Sequence, residues 1–314
     1  MSKQKKKLGI VSDSTLDMDP EFLKKHNIRT VPLKVIFGDE ILFQGRNITN
    51  KEYYDRLIAG EMSTTSAPTP KHFVEEITAA LEEYEEVLVF SIGKKLSATL
   101  GVASMVIDEY FDERVTLIDT NTLSITMSLI ILPVARMIEK GKSKEEILKF
   151  VFATIPHTQV FGGCASLKYL RAGGRLSRAS YYLGSLLHLT PLISVEDGLI
   201  TSPGKVRGIE DTFAKMKKIA RKISNPKNRK SELVFVGHCA NPEWAKKFYD
   251  YLVSLPNAPK EVLLWDIGPV IGSHLGPGTI GMVWVGDLQE NWYKTKRDIR
   301  FWRKEKEEKE TEED

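Results

Sequence analysis

A chain of 314 residues, 42% of them hydrophobic and 28% charged, has the length and apolar content for two packed lobes of an ordinary globular protein. Its net charge of +3, with 45 basic residues set among 42 acidic ones, excludes the clustered positive excess of a nucleic-acid binder. Two cysteines without metal-ligand spacing (Cys164, Cys239), a Leu8–Val11 run too short for a signal-peptide core, and no apolar run longer than Leu129–Ala135 point to the cytoplasm.

In chain order, Leu8–Val11 reads as a buried strand that runs into Ser12-Asp13-Ser14-Thr15, a loop of helix-capping residues. Pro20–His26 reads as helix and Arg29–Val35 as strand. A polar patch, Gly60–Pro70, precedes an amphipathic helix over Lys71–Glu83. Next come the strand Val87–Phe90, a helix starting near Ser97 and the strand Val115–Ile118. Strands separated by helices imply βαβ units and a parallel sheet. Ligands bind such sheets at the carboxyl ends of the strands, which places Ser12–Ser14, Ser91–Ser97 and Asp119-Thr120 on one rim. Asn121–Ile138 is apolar around most of its circumference, and Tyr181–Val195 carries few charges. A buried core and a long apolar tunnel require the same residues, so composition leaves the two readings open.

The second half is less regular. Leu192–Val195 and Leu199-Ile200 flank Asp197-Gly198, a hairpin signal. Leu233–Val236 and the helix Pro242–Leu255 form another βα unit, and Val262–Trp265 and Met282–Val285 add strands. The fold class expected is α/β, with an N-terminal parallel-sheet Rossmann-like lobe and a C-terminal mixed α/β lobe. The expected divisions are a basic extension (1–7), the N-terminal lobe (8–160), the C-terminal lobe (161–286) and a charged tail (287–314). The tail reads as a fraying helix with Trp292, Ile299 and Trp302 on one docking face.

Several segments carry candidate chemistry. Gly268-Pro-Val-Ile-Gly-Ser-His274-Leu-Gly-Pro-Gly278 sets one histidine among six Gly and Pro residues, and is read as a loop that positions the ring. Thr64–Pro70 packs hydroxyls between prolines, and Ser97 stands where a helix begins, a place where free amides favour an anion. The alternative is that Ser97 only caps its helix and Thr65 only shapes a turn. Lys94 and Lys95 add charge, but Leu88 stands where a phosphate loop needs glycine, so a nucleotide-hydrolase reading fails. Arg175 and Arg207 offer guanidinium forks that suit a carboxylate, a phosphate or a surface ion pair. The six histidines show no metal-binding spacing, and no serine–histidine–acid arrangement can be read.

Taken in order, these segments resemble the DegV family of bacterial fatty-acid-binding proteins. Ile10-Val-Ser-Asp-Ser-Thr15 matches its opening strand and loop, Thr65-Ser-Ala-Pro68 its Thr-Ser-Gln-Pro, and Leu96-Ser-Ala-Thr99 its Leu-Ser-Gly-Thr. Leu167-Lys-Tyr-Leu-Arg-Ala-Gly-Gly-Arg175, Pro191-Leu-Ile, Asp197-Gly198, Arg207-Gly208 and Gly272-Ser-His-Leu-Gly-Pro-Gly278 continue the series. The resemblance implies a carrier, not an enzyme, that holds a long-chain fatty acid in a tunnel between the lobes. It implies carboxylate binding by Thr65, Ser97 and His274, with head-group support from Ser14, Lys94 and Gly276. Arg175 and Arg207 would serve charge support or partner docking. The implied partner is a fatty acid kinase that phosphorylates the presented carboxylate; no cofactor, metal or nucleic acid is implied. Transient contact of Lys3–Lys7 with anionic membrane is a further expectation. The chain departs from the pattern at Gly93-Lys94, Ala67 and Ala98, close to the expected head group. Two other readings are a phosphotransferase-like enzyme, which needs a nucleotide site, and a regulatory interaction module with a structural lipid.

Overall fold

The computed structural model describes residues 5–164, 166–175 and 189–294. Four strands, β1 (Lys6–Asp13), β2 (Ile28–Val31), β6 (Tyr84–Ser91) and β7 (Val115–Asp119), form a parallel sheet in the order β2-β1-β6-β7. The two-residue side-chain period divides its apolar residues between two layers. Val87 and Val89 pack with Phe73 and Ile77 of α3 (Pro70–Glu83) and Val106 of α4 (Thr99–Tyr110). Leu88 and Phe90 face the opposite way, into the layer that contains α5 (Ile125–Glu139).

The second sheet has six strands in the order β10-β9-β8-β13-β11-β12. They are β8 (Thr158–Gly163), β9 (Thr190–Glu196), β10 (Leu199–Val206), β11 (Arg229–His238), β12 (Glu261–Asp266) and β13 (Ile280–Gly286). Only β11 and β12 pair in parallel. One face packs on α8 (Gly208–Ile223), α9 (Pro242–Val253) and α11 (Glu290–Tyr293) through Met216, Phe248, Met282, Trp284 and Trp292. The other face, with Phe235 and Val283, packs on α5. The near-uniform apolarity of α5 therefore reflects its place between two sheets, with ten of its fifteen residues buried. The two-lobe α/β architecture expected from the sequence is the one observed.

A smaller antiparallel sheet, β4-β3-β5, is built from β3 (Lys34–Phe37), β4 (Glu40–Phe43) and β5 (Thr64–Ser66). Helix α2 (Asn50–Ile58), with a Thr49–Glu52 capping box, lies between β4 and β5 in the chain. The short α1 (Pro20–Lys25) precedes β2, α6 (Lys144–Thr154) leads into β8, and α7 (Leu167–Ala172) follows β8.

Four expectations need correction. Arg29–Val35 is two strands in two sheets, because Pro32 has no N–H to continue the ladder of β2. The polar patch Gly60–Pro70 contains β5, whose hydroxyl-rich sequence conceals its pairing with β3. Residues 158–160, expected in the N-terminal lobe, pair with β13 in the second sheet. The segment around His274 is the short helix α10 (Pro269–Leu275), not a loop: Pro269 occupies its first turn, where a missing N–H costs nothing, and Gly276 ends it at φ 74°. The start of β1 also takes in Lys6 and Lys7 of the expected basic extension. Trp292 is buried, while Ile299, Trp302 and Tyr181–His188 lie outside the described residues.

Two buried carboxylates organise the carboxyl-end rim. Asp13 accepts hydrogen bonds from the backbone and hydroxyl of Thr15 and from the Ile92 amide at 2.7 Å, which ties β1 to the loop after β6. Burial nonetheless pushes its carboxyl above the usual range. Asp17 accepts from Ser124 Oγ at 2.6 Å, from Gln44 Nε2 at 3.0 Å and from the Gly268 amide. The same Gln44 accepts from the Val270 amide at 2.7 Å, so the approach to α5, the end of β4 and the start of α10 meet at the hydrogen-bonded pair of Asp17 and Gln44. Burial pushes Asp17 up to about 7, against the pull of those donors and with a smaller push from Asp13. Because this lies above the unfolded value of 3.8, the stability contribution is complete at low pH and is lost as pH rises through about 7. The melting temperature of the native chain is expected to fall more steeply than that of Asp17→Asn between about pH 5 and pH 8. Parallel melting curves for the two proteins would show that Asp17 does not titrate there.

Candidate functional site

Parallel pairing of β1, β6 and β7 aligns their carboxyl ends, and the loop after β6 leads to Ser97 beside the start of α4. Antiparallel pairing with β3 sets Thr65 opposite Val35 at the edge of the small sheet. Helix α10 from the other half of the chain brings His274 to Thr65, with His274 Nε2 2.9 Å from Thr65 Oγ1. Thr65, Ser97, His274 and Arg175 line one cavity of about 40 Å³, closed by Leu33, Ile92, Leu96 and Val270.

Behind the imidazole, the hydroxyls of Tyr53, Ser63 and Ser273 form a buried triangle with each side 2.9 Å. Tyr54 donates to the Ile267 carbonyl at 2.7 Å. These contacts lock α10 to α2 and so fix the position of His274. On the ring's other edge lies the turn after α7, where a Cβ on Gly173 would stand 2.0 Å from His274 Nδ1. That nitrogen is buried and makes no hydrogen bond. A bare lone pair is a cheaper orphan than a bare N–H, so the hydrogen belongs on Nε2, which donates to Thr65 Oγ1. The Thr65 hydroxyl hydrogen is then free to point at a ligand. Burial lowers His274 to about 4, and the Arg175 charge pushes in the same direction, so the ring is neutral at physiological pH.

Ser97 Oγ accepts from the Thr99 amide at 3.3 Å and lies 2.8 Å from the Thr99 hydroxyl while also lining the cavity. It shapes the entry to α4 and faces the cavity at once, so the two readings of this residue are compatible. Arg175 reaches across from the second lobe, donating through Nε to the Leu96 carbonyl at 3.3 Å and through a terminal nitrogen to the Gly173 carbonyl at 2.6 Å.

Other sequence-selected residues lie apart. Ser14 spends its hydroxyl as acceptor for the Leu33 amide at 3.0 Å and faces a different cleft, beside Asp17 and Gln44. Gly276 does not line the cavity; it ends α10 in a conformation that favours glycine, against the ring of Tyr169. Lys94 is exposed in an outer vestibule that it shares with Lys95, Ser97 and Arg175. Arg207 is exposed at the start of α8, its backbone amide bonded to Asp211.

The apolar wall was only partly legible in the sequence. Leu123, Ile200, Ile271 and Leu275 line the polar-ended cavity and also a second, almost wholly apolar one of about 50 Å³. The second continues along Ile125, Val160, Ile193, Ile267 and Val283 between α5 and the six-stranded sheet. Ile200 arrives on the β9–β10 hairpin, whose turn has positive φ at Asp197 and Gly198 as its sequence predicts. That turn is held to the first lobe by Lys95 Nζ, 2.7 Å from the Asp197 carbonyl oxygen. The hairpin is visible in the sequence, but its docking partner is not. Among the described residues no cluster of three potential metal ligands occurs, and no helix is long and apolar enough to cross a membrane.

A family model described as an uncharacterised protein of the DegV family matches residues 7–287. A DegV domain-containing protein of Deinococcus radiodurans is 30% identical over 276 residues, spanning 88% of this chain and 97% of the relative. The structure of a DegV family protein from Thermus thermophilus, described as showing fatty acid binding, superposes with a TM-score of 0.82. It is 28% identical and covers 90% of this chain and all of its own. A stearic-acid-binding protein from Eubacterium ventriosum superposes with a TM-score of 0.75 at 27% identity, covering 90% and 98% of the two chains.

Since the folded value of His274 lies below the unfolded 6.5, its contribution to stability is present above about pH 6.5 and lost as pH falls toward about 4. Imidazole NMR shifts of His274 are expected to stay those of the Nε2–H neutral form down to about pH 5. A midpoint near 6.5 would contradict the buried, Gly173-backed placement.

Proposed function

Because this chain belongs to the DegV family, we propose that it binds a long-chain fatty acid between its two lobes and presents the carboxylate to a partner fatty acid kinase. The observation that carries this reading is that a polar-ended cavity and an apolar one lie side by side, with Leu123, Ile200, Ile271 and Leu275 as their shared walls. One end offers two hydroxyls, a neutral imidazole and a guanidinium; the other offers hydrocarbon. That is the polarity of a fatty acid.

Energetics divide the labour. Burying about fourteen methylenes at ~0.8 kcal/mol each is worth about 11 kcal/mol before ordering costs. The acyl chain supplies most of the affinity, and the head group fixes which end faces the mouth. Thr65 donates its free hydroxyl hydrogen to the carboxylate, with Nε2–H of His274 holding the hydroxyl oxygen in place. Ser97 provides the second hydroxyl. Arg175 supplies the positive charge that a neutral His274 does not, and Lys94 and Lys95 extend it into the vestibule. Arg207, exposed at the start of α8, belongs to the face that meets the kinase. On this reading the chain is a carrier, and the kinase performs the phosphoryl transfer.

Mass spectrometry of organic extracts from the purified chain is expected to find a stoichiometric fatty acid. Addition of a fatty acid kinase with ATP should convert it to the acyl phosphate. Thr65→Ala, which removes one hydrogen bond to a charged group, is expected to weaken fatty acid binding by about tenfold or more while the fold persists. No lipid in the extract and no uptake of added palmitate would end the carrier reading. Unfolding of Thr65→Ala with loss of all lipid would make Thr65 a structural residue instead.

A further inference from the structure

The apolar cavity contains one residue that the fold does not account for. Gly281 lies within β13, and its neighbours Ile280 and Met282 face the core under α8 and α9. Its own outward direction is therefore the inter-lobe face, where it lines the apolar cavity with Val160 and Val283. In register it stands between Gly162 of β8 and Gly237 of β11. Both of those glycines have a packing reason. A Cβ on Gly162 would lie 2.3 Å from the Ile280 carbonyl oxygen, and one on Gly237 would lie 2.5 Å from the Ile125 side chain. Gly281 has neither constraint. Its φ is not in the left-handed region, and the nearest atom to an added Cβ is the Phe161 carbonyl oxygen at an ordinary 3.5 Å. A glycine inside a strand weakens it, and one that conformation and packing do not require marks a place kept clear for close approach.

We propose that the bare backbone at Gly281 determines how long an acyl chain the cavity accepts, an inference that rests on the fatty-acid reading above. Gly281 borders the apolar cavity and not the polar-ended one, so a side chain there would fill the space of distal methylenes and leave the carboxylate contacts untouched.

The test compares the delipidated full-length chain with Gly281→Val and Gly281→Ala in binding lauric, palmitic and stearic acids. Each methylene excluded costs about fourfold in affinity, so a valine that displaces about two should weaken stearate by roughly tenfold or more. Laurate should change by less than about threefold, and lipid that co-purifies should shift to shorter chains. The smaller Gly281→Ala should lower the stearate-to-laurate affinity ratio by about fourfold, and it carries the test if the valine variant does not fold. Affinities unchanged at every length, or reduced equally at all three in a folded variant, would overturn the inference while leaving the carrier reading intact. A native chain that takes up none of the three acids would overturn the carrier reading, and this inference with it.

Discussion

The structure depends on one shared apolar layer. The inner faces of the four-stranded and six-stranded sheets both pack on α5, so a single cluster runs from Ile10, Leu88 and Phe90 through Met127, Ile130 and Ile131 to Phe235 and Val283. A helix between two sheets has little solvent-facing side to keep polar, which is why α5 carries few charges. Each sheet completes its second face independently, under α3 and α4 on one side and α8 and α9 on the other. The lobes are therefore α/β units with their own outer layers and a common middle layer.

The candidate binding cavity is an interruption of that layer, not a cleft in either lobe. Leu123 and Ile125 at the start of α5, Ile193 and Ile200 on the hairpin strands, and Ile271 and Leu275 on α10 all belong to the shared cluster and also line the cavities. Residues that hold the lobes together are thus the residues an acyl chain would touch. Burial of a ligand there would add to lobe–lobe adhesion, because the ligand replaces solvent-sized space with hydrocarbon contact.

On the fatty-acid reading, polar contacts at the mouth would set the ligand's orientation. Three of them cross between the lobes: Thr65 to His274, Arg175 to the Leu96 carbonyl, and Lys95 to the Asp197 carbonyl. Burial keeps His274 neutral, which lets it act as a fixed donor to Thr65 and leaves Arg175 as the charge at the cavity. On the rim behind, Asp17 and Gln44 tie the start of α10 to the approach of α5, so the two segments that carry the cavity walls share one buried hydrogen-bond network.

Local pattern determined much of this protein from sequence alone. The short apolar runs in β1 and β6, the amphipathic α3, the Asp197-Gly198 turn and the hydroxyl segments at Thr65 and Ser97 are properties of neighbouring residues, and neighbours are what a sequence displays. The linear order of those segments also made the DegV resemblance legible. Tertiary structure decided the rest, because it depends on contacts between residues far apart in the chain. Nothing local shows that β5 hides in a polar patch, that the Gly- and Pro-rich segment coils into α10, or that Ser14 turns its hydroxyl to the Leu33 amide and away from the cavity. The adjacency of polar and apolar cavities is likewise long-range: Ile200 from a hairpin, Leu123 from the approach to α5 and Ile271 from α10 line both. Packing selects those partners, and a one-dimensional pattern carries no record of them.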